Sequence, residues 1–291
     1  MSGSTLTTTI SDEQLGRFAE LIYRHTGIRI SPQKRMLISN RLRRRLRATG
    51  IKDYEEYYRH LSRVGANNPE WDAFLQEITT HETYLFRDDV QWDWLCKSYC
   101  RELQEAASRH TRRKTLRIWS AACSTGDEVC TIACCVAGSL NRCEEWSIEI
   151  LGTDIGIDAL EAARRATFGQ RAMRNVPEEW RRRFFEKEAE NRWRAKSDIT
   201  KWLSFRQHNL LQPLSTAPFD LIFVKNVLIY FDRESKRRVF THIDKQLLPG
   251  GLLITGPAEG ALDFVRGYER KLPWLHQKPV TVNSSRAETH G

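Results

Sequence analysis

The chain has 291 residues, of which 40% are hydrophobic and 29% charged, as in a globular protein with one large or two smaller domains. It lacks both an apolar run of the ~20 residues that a membrane helix needs and the apolar stretch of a secretory signal, so we predict a cytoplasmic protein with no direct membrane insertion. The net charge of +9 leaves nucleic acids, anionic membranes and acidic proteins as possible partners.

Residues 1–90 contain only helical patterns. Ser11 and Gln14 form a capping-box pair that predicts a first helix, which runs to Thr26-Gly27. Further helices are predicted from Ser31 to Thr49, from Asp53 to Leu61, and after Pro69 to Thr79. We therefore predict a small N-terminal helical domain over 1–90, followed by a polar linker helix over 91–113.

The second predicted helix is unusually basic. Residues 29–47 hold eight lysines and arginines and no acid. Ile38, Leu42 and Leu46 are spaced by four residues, so this apolar stripe can pack inward. The other faces carry Arg41, Arg43, Arg44, Arg45 and Arg47. This pattern favours an anion-binding surface, which could dock an acidic protein or a nucleic acid equally well.

From residue 114 onward, apolar strands alternate with helices. Strands are predicted at 116–121, 148–154, 219–226 and 252–256, and helices at 128–140, 157–166 and 233–248. This alternation predicts an α/β fold, a Rossmann-like doubly wound sheet over 114–280. We expect an insert near 177–209 with an extra helix and a hairpin, a turn at 249–251 and a disordered tail over 281–291.

Ligands of such sheets bind at the carboxyl ends of the strands. The loop after the first strand, residues 120–127, has small side chains and ends in Asp127, and the second strand ends in Asp154. An acid at the end of the second strand accepts hydrogen bonds from ribose hydroxyls, while an acid in the loop repels phosphate. The pattern therefore favours S-adenosylmethionine, although Asp127 and Glu128 could also simply stabilise a helix N-terminus.

The seven cysteines do not show the paired short spacings of a zinc site. Two of the spacings, Cys96/Cys100 and Cys130/Cys134, are helical i,i+4 pairs. We predict buried free thiols and no metal.

Four stretches give the sequence a specific resemblance. They read EITTHETYLFRDD (77–89), LRIWSAACSTGDEVCTIA (116–133), ILGTDIGIDALEAARRATFG (150–169) and FDLIFVKNVLIYFDRESKRRVF (219–240), the last followed by LLPGGLLITGPAEG (247–260). Their order and spacing resemble the CheR family of chemotaxis receptor methyltransferases, which are protein-glutamate O-methyltransferases. The resemblance extends from about residue 11 to residue 275.

The resemblance implies specific roles for residues of this sequence. It implies transfer of a methyl group from S-adenosylmethionine to glutamates of a chemoreceptor's cytoplasmic helical domain, with S-adenosylhomocysteine as the product. Arg87 and Tyr230 are the implied catalytic residues, Arg87 holding charge and Tyr230 facing the reacting methyl group. The implied cofactor contacts are His81, Thr83, Arg87, Asp127, Asp154, Asn209, Leu210, Val224 and Lys225. The five arginines of the basic helix become candidates for receptor docking, by charge complementarity.

The sequence departs from the family pattern at several positions. The family usually has Asn at His81, Glu at Asp127, Arg at Lys225 and Glu at Asp88. A lysine at 225 lacks the planar fork of arginine. A non-catalytic relative that binds cofactor or receptor with little turnover is therefore an alternative. A nucleic-acid methyltransferase is disfavoured, because residues 226–229 lack the prolines that hold an exocyclic amine.

Overall fold

The computed structural model describes residues 9–65, 68–79 and 81–280. The predicted disordered tail at 281–291 lies outside these residues. Among the described helices, none combines the length and apolarity that crossing a bilayer requires.

Four helices pack together at the N-terminal end. They are α1 (Asp12–Thr26), α2 (Arg35–Thr49), α3 (Tyr54–Arg63) and α4 (Pro69–Ile78), with a 3₁₀ turn at Pro32–Lys34. The predicted capping box is confirmed, since the Ser11 hydroxyl accepts from the Gln14 N–H and the Gln14 side chain accepts from the Ser11 N–H. Phe18, Tyr57 and Phe74 form the aromatic centre of this bundle, with ring centroids 6.1–6.2 Å apart.

A continuous helical stretch connects the bundle to the sheet. It consists of α5 (Asp89–Trp94), a π-helical turn (Leu95–Tyr99) and α6 (Cys100–Ser108). Trp92 stacks on Phe223 of the sheet at a centroid distance of 5.5 Å. The helical stretch is thus packed against the sheet rather than suspended between the two parts of the chain.

Ten strands and six further helices follow. The strands are β1 (Thr115–Ala121), β2 (Ser147–Asp154), β3 (Thr167–Gly169), β4 (Phe185–Ala189), β5 (Arg192–Ala195), β6 (Leu203–Gln207), β7 (Phe219–Val224), β8 (Leu247–Thr255), β9 (Glu269–Leu272) and β10 (Leu275–Gln277). The helices are α7 (Asp127–Ser139), α8 (Ile157–Arg165), α9 (Gln170–Met173), α10 (Glu178–Phe184), α11 (Ser197–Thr200) and α12 (Arg233–Gln246).

Seven strands form the main sheet in the order β6-β2-β1-β7-β8-β10-β9. The first five are parallel, and β10 and β9 are antiparallel additions at one edge. The predicted doubly wound α/β fold is therefore confirmed. The chain leaves β1 toward β2 on one side and returns to β7 on the other, so the topological switch lies at the carboxyl end of β1.

The region predicted as an insert contains α10 and the β4–β5 hairpin, as expected for an extra helix and a hairpin. Its last strand, β6, is instead an edge strand of the main sheet beside β2. The hairpin recruits β3, which precedes the predicted insert, to form a separate three-stranded sheet. Pattern reasoning missed both pairings because strands this short carry little periodicity.

The predicted turn at residues 249–251 is wrong. These residues lie within β8, where the pairing with β7 shifts from Phe219↔Leu247 to Leu221↔Leu252. Gly250 has a φ of 75° and its N–H donates to the Lys278 carbonyl, so the proline and glycines form a bulge that remains hydrogen-bonded.

Candidate active site

A cavity lies between the carboxyl edge of the main sheet and the N-terminal bundle. The loops after β1, β2 and β7 form one side, and α2 and the segment after α4 form the other. Nine of the residues singled out from the sequence line it. They are Arg41, His81, Thr83, Arg87, Asp154, Asn209, Leu210, Lys225 and Tyr230.

The loop after β1 is tightly bent around Asp154. Ala122, Ser124 and Gly126 have φ values of 63°, 51° and 85°. Asp154 Oδ2 accepts from the Ser124 N–H at 2.8 Å, and Oδ1 accepts from the Gly156 N–H at 2.9 Å. A carboxylate has about four acceptor sites, so capacity remains for a ribose diol. The Ser124 hydroxyl oxygen is buried at this cavity and has no hydrogen-bond partner among the described residues.

Two neighbouring acids, Asp127 and Glu128, follow the loop after β1. Asp127 is 2% exposed and does not line the cavity; its carboxylate accepts from the Thr125 hydroxyl at 2.6 Å. Burial raises the pKa of Asp127, and the Thr125 hydrogen bond opposes that rise. The next residue, Glu128, faces the cavity instead. Both lie in the first turn of α7, where a step of one residue rotates a side chain by about 100°.

Glu128 belongs to a buried charge cluster. Its Oε1 accepts from the Ser120 hydroxyl at 2.8 Å, and its Oε2 lies 3.3 Å from Lys225 Nζ. Lys225 Nζ also lies 3.2 Å from Asp88 Oδ2 and 4.6 Å from the centroid of the Trp92 ring. The lysine is thus held between two carboxylates and an aromatic face, at the end of β7.

The segment after α4 passes over the Asp154 side of the cavity. His81 Nε2 is 2.7 Å from the Thr79 hydroxyl oxygen, and His81 Nδ1 is 3.8 Å from Asp154 Oδ1. Burial lowers the pKa of His81, while Asp154 acts in the opposite direction. The segment is tied to α7 where the Phe86 N–H donates to the Thr131 hydroxyl at 3.0 Å. This hydrogen bond fixes the position of the segment that carries Thr83 and Arg87.

Arg87 is half-buried at the cavity wall. Its carbonyl accepts from Trp92 Nε1 at 2.6 Å, and its guanidinium carbon lies 5.7 Å from the centroid of the Tyr84 ring. The flanking residues Phe86 and Asp88 have φ values of 57° and 66°. Two left-handed residues around Arg87 turn the chain sharply and bring its side chain to the cavity.

Tyr230 lies at the bundle side of the cavity. It ends a 3₁₀ turn (Leu228–Tyr230), and its ring centroid is 5.2 Å from Lys34 Nζ. Its carbonyl accepts from the Arg29 N–H at 2.9 Å, and Phe231 forms an antiparallel bridge with Ile28. The loop that carries Tyr230 is therefore paired with the N-terminal bundle.

Two more residues that were predicted to contact the cofactor, Val224 and Asn209, make contacts within the protein itself. Val224 is 0% exposed and packs in the core, because the side chain of the last β7 residue points away from the cavity. Asn209 lines the cavity, but its amide nitrogen donates to the His25 carbonyl at 2.6 Å and its oxygen accepts from the Leu211 N–H at 3.0 Å. Its amide therefore joins the bundle to the loop after β6.

Sequence reasoning missed His208, which lines the same end of the cavity. Its Nε2 is buried without a partner among the described residues, and burial lowers the pKa of the ring to about 4. A neutral imidazole is thus available to a polar ligand. Its position directly before Asn209, on the loop that follows a strand, was the only signal in the sequence.

Five of the six arginines of α2 were predicted to dock the receptor, and they do not form one free surface. Arg41 donates to the carbonyls of Ile78 and Thr79 and lines the cavity. Arg45 is 2.7 Å from Glu70, and Arg44 is 2.7 Å from Glu77. Both acids belong to α4, which packs beside α2 and supplies the counter-charges that the local sequence lacks. Arg43 and Arg47 remain on the outer side; Arg43 donates to Asn40 within its own helix.

All seven cysteines are free thiols, as predicted, and five of them are buried. Burial raises the pKa of Cys100 to about 12, and that of Cys123, Cys134 and Cys135 also rises. Cys130, Cys134 and Cys135 lie on α7, and together with Cys123 they belong to its hydrophobic core with the sheet.

The order of motifs around this cavity matches known family models over nearly the whole chain. The CheR methyltransferase all-alpha domain matches residues 13–79, and the CheR methyltransferase SAM-binding domain matches residues 81–271. The chain belongs to the CheR methyltransferase family. The family assignment confirms the predicted fold and S-adenosylmethionine as the cofactor of this methyltransferase.

Relatives of this CheR family member are chemotaxis enzymes from several bacteria. The chemotaxis protein methyltransferase of Salmonella typhimurium is 32% identical, over 89% of this chain and 88% of that protein. That of Escherichia coli is also 32% identical, over 86% and 85%. Chemotaxis protein methyltransferase 2 of Vibrio cholerae is 31% identical, over 86% of each chain.

Proposed function

We propose that this methyltransferase transfers a methyl group from S-adenosylmethionine to glutamate side chains of a chemoreceptor's cytoplasmic helical domain, forming glutamate methyl esters. The observation that carries the proposal is one cavity, with Asp154 and Glu128 at the end formed by the sheet and Lys34 and Arg41 at the end formed by the bundle. Arg87 and Lys225 also line it. The relatives from Salmonella typhimurium and Escherichia coli are chemotaxis protein methyltransferases, which supports a role in chemotaxis. A receptor's cytoplasmic domain as substrate places the enzyme in the cytoplasm.

The acidic end suits the cofactor. Asp154 is the residue for the ribose hydroxyls, and the unpartnered Ser124 hydroxyl and His208 Nε2 lie within the same cavity. Glu128, rather than Asp127, is the acid for the ammonium of the methionine part. Arg87 and Lys225 also line the cavity and would hold its carboxylate. A ribose and a zwitterion, with no phosphate, match this set of charges.

The cationic end suits the acceptor. Lys34 and Arg41 line the cavity beside Tyr230, and all three belong to the bundle or to the loop paired with it. A glutamate carboxylate entering from the bundle side would meet these cations. Burial lowers the pKa of Arg41 and the nearby Arg44 acts in the same direction, while Glu77 acts to raise it.

Methyl transfer to a carboxylate requires the reacting atoms to be aligned, but it does not require a general base. S-adenosylmethionine supplies an electrophilic methyl group when bound. A glutamate carboxylate has an unperturbed pKa near ~4.3 and is already ionised at neutral pH, so no residue has to remove a proton. Arg41 and Lys34 orient the carboxylate beside Tyr230 at the bundle side, and the bundle covers the cavity to exclude water. Orientation of this kind can provide effective molarities of about 10⁵ M or more.

Receptor docking is proposed for the outer side of α2. Arg44 and Arg47 are exposed and Arg43 is half-buried, although Arg44 also pairs with Glu77 of α4, whereas Arg41 and Arg45 are held within the fold. An acidic receptor helix would meet the outer arginines first and place a glutamate at the cavity between Lys34 and Tyr230.

The test is calorimetric titration of the purified protein with S-adenosylhomocysteine, followed by methyl transfer to a glutamate-rich receptor helical fragment. Asp154→Ala should abolish both binding and transfer. The matched control Asp158→Ala changes an acid of α8 that does not line the cavity, and both should persist. Cofactor binding without ester formation on any receptor fragment would instead support the non-catalytic alternative.

A further inference from the structure

Glu259 is a buried carboxylate that the cavity does not use. It lies in the turn after β8, is 0% exposed and does not line the cavity. Neither of its carboxylate oxygens has a hydrogen-bond partner of normal geometry among the described residues. Leaving a carboxylate buried in this way costs several kcal/mol unless nearby dipoles stabilise it.

The stabilising dipoles come from the loop that follows β7. The backbone N–H groups of residues 226–229 favour the ionised form of Glu259 and oppose the rise in its pKa that burial causes. Gly256 lies between the two loops, since a Cβ there would be 3.1 Å from Glu259 Oε1 and 3.5 Å from the Asn226 nitrogen. A side chain at Gly256 would be tight against the carboxylate, so glycine favours this close approach.

The backbone of this loop has the form of an anion-binding nest. Asn226 is left-handed, with a φ of 58°, and Val227 follows with a φ of −122° and a ψ of −40°. Successive N–H groups in such alternating conformations form concavities that bind anions. A left-handed conformation is unfavourable for a non-glycine residue and persists only where its surroundings hold it.

The turn that carries Glu259 is itself fixed. Lys236 Nζ, from α12, donates to the Glu259 carbonyl at 2.8 Å. The carboxylate is therefore presented from a tethered backbone toward the loop that ends in Tyr230. On its other side that loop is bonded to the bundle through the Arg29 N–H.

We propose that Glu259 is a positioning residue, whose carboxylate holds the backbone of residues 226–229 and thereby sets the Tyr230 side chain at the cavity. The effect on catalysis rests on the proposed function of Tyr230, whereas the effect on the loop does not. Glu259 acts through the loop and does not itself line the cavity.

The first experiment measures hydrogen exchange, which needs no activity. In Glu259→Gln, amides of residues 226–230 should exchange about tenfold faster or more, while those of β1 stay unchanged. The matched control is Asp220→Asn, a carboxylate at the opposite end of β7 that accepts from Arg112 and from the Arg117 N–H. It should leave the loop amides unchanged. If Glu259→Gln does not fold, Gly256→Ala should displace the carboxylate and produce the same exchange pattern.

The second experiment asks whether the effect passes through Tyr230. Glu259→Gln should lower kcat about tenfold or more, since small misplacements at a reacting centre have large effects. The Kd for S-adenosylhomocysteine should stay within about twofold, and in a Tyr230→Phe background the same substitution should add little. Unchanged loop exchange, or an equal further loss in the Tyr230→Phe background, would overturn the positioning role. A wild-type protein without methyl transfer would refute the proposed function alone, because the exchange result still decides whether Glu259 holds the loop.

Discussion

Lys225 Nζ lies 3.3 Å from Glu128 Oε2, and the lysine side chain is only 2% exposed. This pair joins the end of β7 to the helix that follows β1, directly under the cavity. Asp88, from the segment that covers the cavity, approaches the same ammonium at 3.2 Å. One buried cation thus connects three separate parts of the chain. It also accounts for Glu128, one of the two acids that follow the small-residue loop, where a phosphate would be repelled.

The first prediction distinguishes the two neighbouring acids of that loop. Glu128→Gln should weaken S-adenosylhomocysteine binding about tenfold or more, because a hydrogen bond to a charged group contributes about 1.5–3 kcal/mol. Asp127→Asn should keep the affinity within about twofold, since its carboxylate faces Thr125. Calorimetric titration of both variants measures this difference. The reverse order of effects would restore Asp127 as the cofactor acid.

These two acids also show where sequence reasoning reaches its limit. The strand–loop–helix pattern predicted acids after β1 and at the end of β2, because strand ends and loop positions follow from local periodicity. The structure brings Asp154 and Glu128 to the cavity, whereas the predicted loop acid was Asp127. Which of two adjacent acids faces the ligand depends on the left-handed turn at Ser124 and Gly126, which sets the rotation of α7. Similarly, the acids that pair with Arg44 and Arg45 lie 33 and 25 residues away on α4, beyond any local pattern.

The second prediction concerns receptor docking by the outer arginines of α2. Arg43→Glu with Arg47→Glu should raise the KM for a receptor helical fragment about tenfold at low salt, with the difference shrinking as salt screens the charges. The Kd for S-adenosylhomocysteine should not change. The control, Arg101→Glu with Arg109→Glu, reverses two exposed arginines of the α6 region. An equal rise in KM in the control would show a general effect of net charge rather than a docking site.

The third prediction concerns Asp232, which joins the N-terminus of α12 to the bundle. Asp232 Oδ2 accepts from Arg29 at 2.7 Å and from the Tyr23 hydroxyl at 2.9 Å, and Oδ1 accepts from the Ser235 N–H at 2.8 Å. Burial acts to raise the pKa of Asp232, but the Ser235 N–H, Arg29 and Tyr23 together lower it well below its usual range. A carboxyl with a lowered pKa stabilises the fold above its unfolded pKa of about 3.9, and this contribution is lost as the pH falls through the folded value.

Asp232→Asn should therefore lower Tm at pH 7, and its difference from the wild type should shrink progressively below about pH 4. Circular dichroism melts between pH 7 and pH 3 measure this gap. The control Asp93→Asn removes an exposed i,i+4 pair with Lys97 and should change Tm little at any pH. A gap for Asp232→Asn of constant size across the range would mean that ionisation of Asp232 does not contribute.

The last prediction concerns the turn that holds the cofactor loop. Gly126 has a φ of 85°, and a Cβ there would lie 2.8 Å from the Cβ of Ala163 on α8. Gly126→Ala combines left-handed strain with a backbone clash, so it should lower the free energy of unfolding by about 1–3 kcal/mol and weaken S-adenosylhomocysteine binding.

Gly16 is the matched control, because it lies in α1 with no atom within 4 Å of an added Cβ. Gly16→Ala should raise the free energy of unfolding by about 0.5–1 kcal/mol and leave cofactor binding unchanged. Urea unfolding with calorimetric titration measures both quantities, and a Gly126→Ala variant as stable and as tight-binding as the wild type would show that the loop tolerates a different path around Asp154.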